Sequence, residues 1–166
     1  MNRAYLILGG NLGNRVANIE LALQHLVDAE LRIINKSGWY ETQAWGMKNS
    51  PDFMNVCLET ETDIPANELL KICLETEKKM GRIRENKGYE NRIIDIDILF
   101  FNEEIHNSNQ LTLPHPRMHE RKFVLVPIAE IAPQIIHPLL KKSVIELLQN
   151  CSDTSVVSKL ENENSF

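Results

Sequence analysis

Asp95 and Asp97 stand one residue apart in the run Arg92-Ile93-Ile94-Asp95-Ile96-Asp97-Ile98, where isoleucines alternate with them. In an extended strand that alternation sends Ile94, Ile96 and Ile98 to one face and both carboxylates to the other. Two neighbouring carboxylates repel each other unless a counter-charge is at hand. A divalent cation supplies one, and a ligand pair made only of oxygens favours Mg²⁺ over zinc. An isolated Asp-x-Asp also suits a strand with one wet face, so its surroundings decide. Between Lys78 and Arg92 lie six basic residues and only two acids, in a chain of formal net charge −5. A basic strip abutting an acidic pair fits a polyanionic ligand that carries metal.

A second constellation lies upstream. In Phe53-Met54-Asn55-Val56-Cys57-Leu58, the aliphatic residues Met54, Val56 and Leu58 must face the helices, which leaves Phe53 and Asn55 together on the opposite face. An amide both donates and accepts, as the edge of a heterocycle requires, and a phenyl ring offers a stacking face. Other signals carry less. Gly9-Gly10-Asn11-Leu12-Gly13 matches neither the dinucleotide fingerprint nor a Walker loop and reads as a tight turn. His115 and His119 have i, i+4 spacing but lack the adjacent glutamate of a zincin and a third ligand. Three scattered cysteines, with no Cys-x-x-Cys, support neither a disulfide framework nor a zinc finger.

Positioning these groups takes a succession of short elements. Ala4–Gly9 reads as a buried strand, and Arg15–Asp28 as a helix with Ile19, Ala22, Leu23 and Leu26 at helical spacing. Ile33–Glu41 and Phe53–Thr62 look extended. A helix with Asp63 as cap and Pro65 in its first turn runs to Gly81, followed by a strand over Ile93–Phe101. The order is βαββαβ, which predicts an α+β fold with a ferredoxin-like core. An extended piece near Gln110–Leu113, a helical region around Val124–Ile131 and a last helix begun by Ser143 with Glu146 three residues on add C-terminal helices. Residues 1–151 form the single expected domain, with 152–166 as a loose polar tail. The 166 residues, 43% of them hydrophobic, suffice for one core. The longest apolar run, Phe123–Ala129, is far short of a membrane span and contains Pro127. Negative net charge disfavours nucleic acid and anionic membrane. A cytoplasmic protein, monomeric or a weak homodimer, is the expectation.

Four blocks, in order, resemble the 6-hydroxymethyl-7,8-dihydropterin pyrophosphokinase family of folate biosynthesis. They are Gly9 to Gly13; Tyr40-Glu41-Thr42 through Gly46 with Pro51 to Asn55; Gly81-Arg82-Ile83-Arg84 with Arg92 to Ile98; and Leu111 to Pro116 with Arg121, Phe123 and Glu130 to Pro133. The resemblance implies an ATP-dependent diphosphokinase that transfers pyrophosphate from ATP to the pterin hydroxymethyl group and releases AMP. It implies two Mg²⁺ held by Asp95 and Asp97, and a pterin bound by Thr42, Trp45, Gly46, Phe53, Asn55 and Phe123. It further implies Arg82 and Arg92 as catalytic residues on a closing loop. Arg84, Ile98, Leu111, Thr112, His115 and Arg121 would join those two arginines in binding ATP.

Several positions depart from the family pattern. Gly10 stands where serine is common, Ala44 where proline is frequent, Phe53 where tyrosine is usual, Tyr89 where tryptophan is often seen, and Glu90-Asn91 where Gly-Pro is common. None of these removes a metal ligand or a charge. Two other readings compete. A two-metal nucleotidyl transferase would use the acidic pair but gives no reason for Asn55 with two phenylalanines. A ferredoxin-like binding module for RNA would use the aromatics, but the acidic pair would repel its ligand.

Overall fold

The computed structural model describes residues 1–44, 49–81 and 92–161. Strand β1 (Asn2–Gly10) leads into helix α1 (Arg15–Asp28), then β2 (Arg32–Lys36), β3 (Tyr40–Thr42) and β4 (Phe53–Thr62). Helix α2 (Ala66–Lys79) and strand β5 (Asp95–Phe101) follow. The chain then adds a small ribbon of β6 (His106–Asn107) and β7 (Thr112–Leu113), helices α3 (Lys122–Ile131) and α4 (Val144–Gln149), and strand β8 (Val157–Lys159).

The main sheet runs β5-β1-β4-β3-β8, with β2 also paired to β4, and every pairing is antiparallel. Strand β1 is therefore central, with β4 on one side and β5 on the other. The single extended stretch expected over 33–41 is in fact two strands, both lying along β4.

Alternation along the strands divides the apolar residues between two faces. Leu6, Leu8, Met54, Val56, Leu58, Ile96 and Ile98 pack against Ile19, Leu23 and Leu26 of α1 and Leu69 and Cys73 of α2. The opposite face is not left to solvent. Tyr5, Ile7, Cys57, Leu99 and Phe100 meet Val124, Leu125 and Ile128 of α3 and Val144 and Leu147 of α4. The pairing of β1 with β5 shifts register between Tyr5 and Leu6, where Leu6 faces Ile98 and Tyr5 faces Phe100. That irregularity puts Leu99 and Phe100 on the same side, which thickens the second core.

Helix ends follow local chemistry. The Asn14 side chain caps α1 by accepting from Ala17 N. Ser143 and Glu146 form the expected capping box of α4. Gly81 ends α2 with φ +85°. Two expectations are corrected. Asp63 does not cap α2: Pro65 is the N-cap and makes no side-chain cap bond. Gly9 and Gly10 are not a turn but the last two residues of β1. The loose tail expected from residue 152 differs as well, because Val157–Lys159 pairs with β3 and extends the sheet. Strand pairing on an open edge holds a segment that no hydrophobic period announces.

Candidate active site

Register across the three central strands builds the site. Asn55 on β4 and Asp95 on β5 are both Cα partners of Gly9 on β1; one row on, Cys57 and Asp97 both partner Ile7. The amide and the first carboxylate thus share one sheet face, two strand spacings or roughly 10 Å apart. Between them lies only a glycine. A Cβ on Gly9 would sit 2.1 Å from Asn55 Oδ1, so the absence of a side chain there is what lets the amide lie over β1. Gly10 has a different constraint: its Cβ would meet the Ile93 carbonyl oxygen at 2.2 Å.

This floor opens into a cavity of about 300 Å³. Ile7, Gly9, Phe53, Asn55, Asp95, Asp97 and Leu99 come from the sheet, and Thr42 and Gln43 from the end of β3. Arg121, Phe123 and Val124 line it from the start of α3, and His115, Arg117 and Glu120 from the segment before that helix. Arg92 closes one side. Its Nη1 lies 2.9 Å from Asp95 Oδ2, and its guanidinium carbon lies 5.6 Å from the Phe53 ring centre. Arg121 stands similarly 5.8 Å from the Phe123 ring centre. The cavity therefore combines two kinds of lining: two carboxylates among guanidinium groups, and an amide, a hydroxyl and two phenyl rings beside them. Among the described residues, buried Thr42 Oγ1 has no hydrogen-bond partner, so it is available to a ligand.

His115 is held neutral. Burial, reinforced by the charge of Arg121, lowers its pKa to about 4, against the opposing pull of Asp95. Its Nδ1 accepts the Arg117 N–H at 3.2 Å. The proton of the neutral ring therefore sits on Nε2, which is left as a donor.

Two supporting residues escaped the sequence reading. Asn11 is buried at the end of β1; its Oδ1 accepts from Arg92 N at 2.9 Å, and its Nδ2 donates to Pro51 O at 3.1 Å. Asn11 N and Leu12 N both donate to Arg92 O. One side chain thus ties the entry of β5 to the entry of β4. Glu77 on α2 is also buried and accepts from Ile96 N, the amide between the two aspartates, at 2.9 Å. The available signal for Asn11 was its place directly after two glycines that end a strand, a pattern of close backbone approach.

Of the residues singled out from sequence, Thr42, Phe53, Asn55, Arg92, Asp95, Asp97, His115, Arg121 and Phe123 share this cavity. Ile98 packs in the core beneath α1 and α2, so only its main chain could reach a ligand. Leu111 belongs to that same core and Thr112 is exposed on β7; neither lines the cavity. Trp45, Gly46, Arg82 and Arg84 lie outside the described residues. Among the described residues no three His, Cys, Asp or Glu side chains cluster as a set of metal ligands.

Comparison with known proteins meets this geometry directly. The family model described as 7,8-dihydro-6-hydroxymethylpterin-pyrophosphokinase matches residues 5–133. The chain belongs to that family. Its 2-amino-4-hydroxy-6-hydroxymethyldihydropteridine pyrophosphokinase relatives include one from Methylorubrum extorquens, 39% identical over 137 residues that cover 82% of this chain and 86% of the relative. The one from Aquifex aeolicus is 38% identical, over 88% of this chain and 90% of the relative. Among solved structures, Plasmodium falciparum HPPK-DHPS matches with a TM-score of 0.69 at 20% identity, over 90% of this chain. This chain spans 43% of that longer one, and at such identity the likeness speaks for the fold alone. Among the described residues the architecture is a mixed α/β fold with an antiparallel sheet and four α-helices, and it is this fold that the likeness supports. Among the described residues, no helix is long and apolar enough to cross a membrane.

Proposed function

We propose that this pyrophosphokinase family member transfers pyrophosphate from ATP to the hydroxymethyl group of 6-hydroxymethyl-7,8-dihydropterin, releasing AMP. The observation that carries the reading is the row Asn55–Gly9–Asp95, which sets a heterocycle-reading amide and a metal-binding carboxylate on one floor. Its scaffold is read as a ferredoxin-like core with the second strand divided and two C-terminal helices laid over the site face.

The donor set suits magnesium. Asp95 and Asp97 offer oxygens only, and hard cations of this kind take one or two carboxylates and complete their shell with phosphate and water. When bound, Mg²⁺ (two ions in this reading) supplies charge neutralisation for the triphosphate and alignment for in-line displacement. The chain does the remaining work by positioning. Asn55 reads the donor and acceptor edge of the pterin, the Thr42 hydroxyl takes a further hydrogen bond, and Phe53 and Phe123 flank the ring. Arg92 already lies against Asp95 and is placed to follow charge onto the transferred phosphoryl groups, with Arg121 beside it. His115, neutral with its proton on Nε2, donates to a phosphate oxygen without adding a charge. Arg82, Arg84, Trp45 and Gly46 keep their proposed roles from the motif they occupy, and Ile98, Leu111 and Thr112 theirs beside the nucleoside. The chain acts as a monomer or weak homodimer.

The test is incubation with Mg²⁺, ATP and the hydroxymethyl pterin, followed by separation of the nucleotides. AMP should form in step with pterin diphosphate and disappear in Asp95→Ala and Asp97→Ala. Release of pyrophosphate would reassign the protein to nucleotidyl transfer, and ADP to simple phosphoryl transfer.

A further inference from the structure

The family match ends at residue 133, yet Ser152, Asp153 and Ser155 line the same cavity as Asn55 and Asp95. The segment that brings them there is fastened at both ends. At its start, Asp153 Oδ2 accepts from the Lys122 main-chain N–H at 3.0 Å. Lys122 is the first residue of α3, whose N-cap Arg121 makes no side-chain cap bond and whose first turn contains no acid. A carboxylate from a distant segment therefore satisfies an open N–H of this helix and meets its positive end. The other oxygen, Oδ1, accepts from Ser155 N and Ser155 Oγ. Those bonds and the one from Lys122 outweigh burial and hold the Asp153 carboxyl below the usual carboxylate range. At its far end the segment becomes β8. Val157 pairs with Thr42, Leu160 N donates to Trp39 O at 2.8 Å, and Lys159 Nζ lies 3.1 Å from Glu130 Oε1.

Both anchors belong to elements that line the cavity, and those elements also touch directly where Tyr40 and Gly38 donate to Glu130. One is β3, which delivers Thr42; the other is the first turn of α3, which delivers Phe123. These two elements come from distant parts of the chain, and residues 152–157 span the distance between them.

We propose that residues 152–160 form a strap that sets the spacing of the pterin-binding part of the cavity, with Asp153 the positioning residue that holds the Phe123-bearing turn of α3 relative to Thr42. This rests on the reading of Thr42 and Phe123 as pterin-binding. Asp153 need not touch the substrate; it acts through the helix start it caps. Its loss lets that turn drift, and ring binding, which depends on the gap beside Phe123, suffers first. Of the groups read as binding the nucleotide, Asp95, Asp97 and Arg92 are held by β5 and Asn11, and His115 by its N–H to Leu99 O; Arg121 alone adjoins the start of α3, so ATP binding changes far less.

The test compares steady-state kinetics and thermal melting of Asp153→Ala, Asp153→Asn and a control on the neighbouring helix, Glu146→Ala, which opens the capping box of α4. Asp153→Ala should raise the pterin KM about tenfold or more and leave the ATP KM within twofold. Asp153→Asn, which keeps an acceptor for Lys122 N, should recover most of the loss. Glu146→Ala should lower the melting temperature without moving the pterin KM. The proposal is overturned if Asp153→Ala leaves the pterin KM within twofold, if both KM values rise together, or if the control raises the pterin KM equally. Failure of the functional reading looks different: the wild-type protein then forms no AMP, and the assignment of Thr42 and Phe123 to pterin falls with it.

Discussion

Placing a methyl group on Gly9 tests the logic of the site with one carbon atom. In Gly9→Ala the new Cβ would stand 2.1 Å from Asn55 Oδ1, 3.1 Å from Asn55 Cγ and 3.1 Å from Met54 O. Carbon and oxygen atoms do not approach within about 3 Å, so the amide oxygen must retreat by about 1 Å. The obstacle is the tip of a side chain, which can rotate away, so the fold is expected to survive. Alanine also costs less than glycine within a strand, by roughly 0.5–1 kcal/mol. The amide, however, no longer lies where a heterocycle edge would meet it. A misplacement of about 1 Å in a positioning group commonly lowers rate by about 10²-fold, equivalent to about 2.7 kcal/mol. We expect kcat/KM for the pterin to fall by about that factor at saturating Mg²⁺-ATP, with the ATP KM and melting temperature near wild type. In an Asn55→Ala background the same methyl has no amide to displace, so the two losses should be strongly non-additive. Gly10→Ala is the contrasting case. Its Cβ would meet the Ile93 carbonyl oxygen at 2.2 Å and its carbon at 2.9 Å, and main chain cannot rotate aside. That variant should lose stability and impair both substrates, because the peptide it pushes leads into Asp95. A Gly9→Ala protein with wild-type pterin kinetics would refute the placement of Asn55, and so would equal losses toward pterin and ATP.

Further expectations follow from the charged groups of the cavity. Arg92→Ala should lower kcat at least about 10²-fold while changing Mg²⁺-ATP affinity only a few-fold, as for other groups whose bonds matter mainly in the transition state; comparable losses in a direct binding titration and in kcat would contradict that role. His115 links folding to pH. Unfolded, it takes a proton near pH 6.5; folded, burial and Arg121 delay this to about pH 4, so the unfolded chain binds more protons in between. Its contribution to stability is therefore lost as pH falls from 6.5 to 4. His115→Gln should flatten denaturant-measured stability across that window. The slope should not vanish, because burial depresses His137 in the same sense. Asn11→Ala should disturb the entries of β4 and β5 together, seen as faster amide exchange at Arg92 and lower kcat/KM for both substrates; undisturbed exchange at Arg92 would argue against the latch.

Legibility of the site in the sequence varied with the range of the interactions involved. Alternation in Arg92 to Ile98 and in Phe53 to Leu58 is a local property, since successive side chains of any strand point to opposite faces. Both polar faces could therefore be read without knowing what lay beside them. The capping box at Ser143, the glycine stop at Gly81 and the helical stripe of α1 are local in the same sense. The departures lie where contacts are distant. Gly9 and Gly10 pass for a turn in sequence because the reason for them, Asn55 from β4 and Ile93 from the approach to β5, is more than forty residues away in each case. Asn11 and Glu77 read as ordinary polar residues, and only their bonds to Arg92, Pro51 and Ile96 distinguish them.

By itself, then, the sequence determined which faces carry carboxylates, amide and rings, the basic strip beside them, and the motif order shared with the pyrophosphokinase family. Tertiary structure alone decided that β1 would separate Asn55 from Asp95 by a single glycine, and that the start of α3 and the segment before it would wall that polar face into a cavity. It also decided that Ser152, Asp153 and Ser155, from a segment without hydrophobic period, would line the same cavity. The physical reason is common to all three. Local periodicity fixes the direction of a side chain, whereas its neighbours depend on register between strands, and register depends on burying the whole apolar pattern at once.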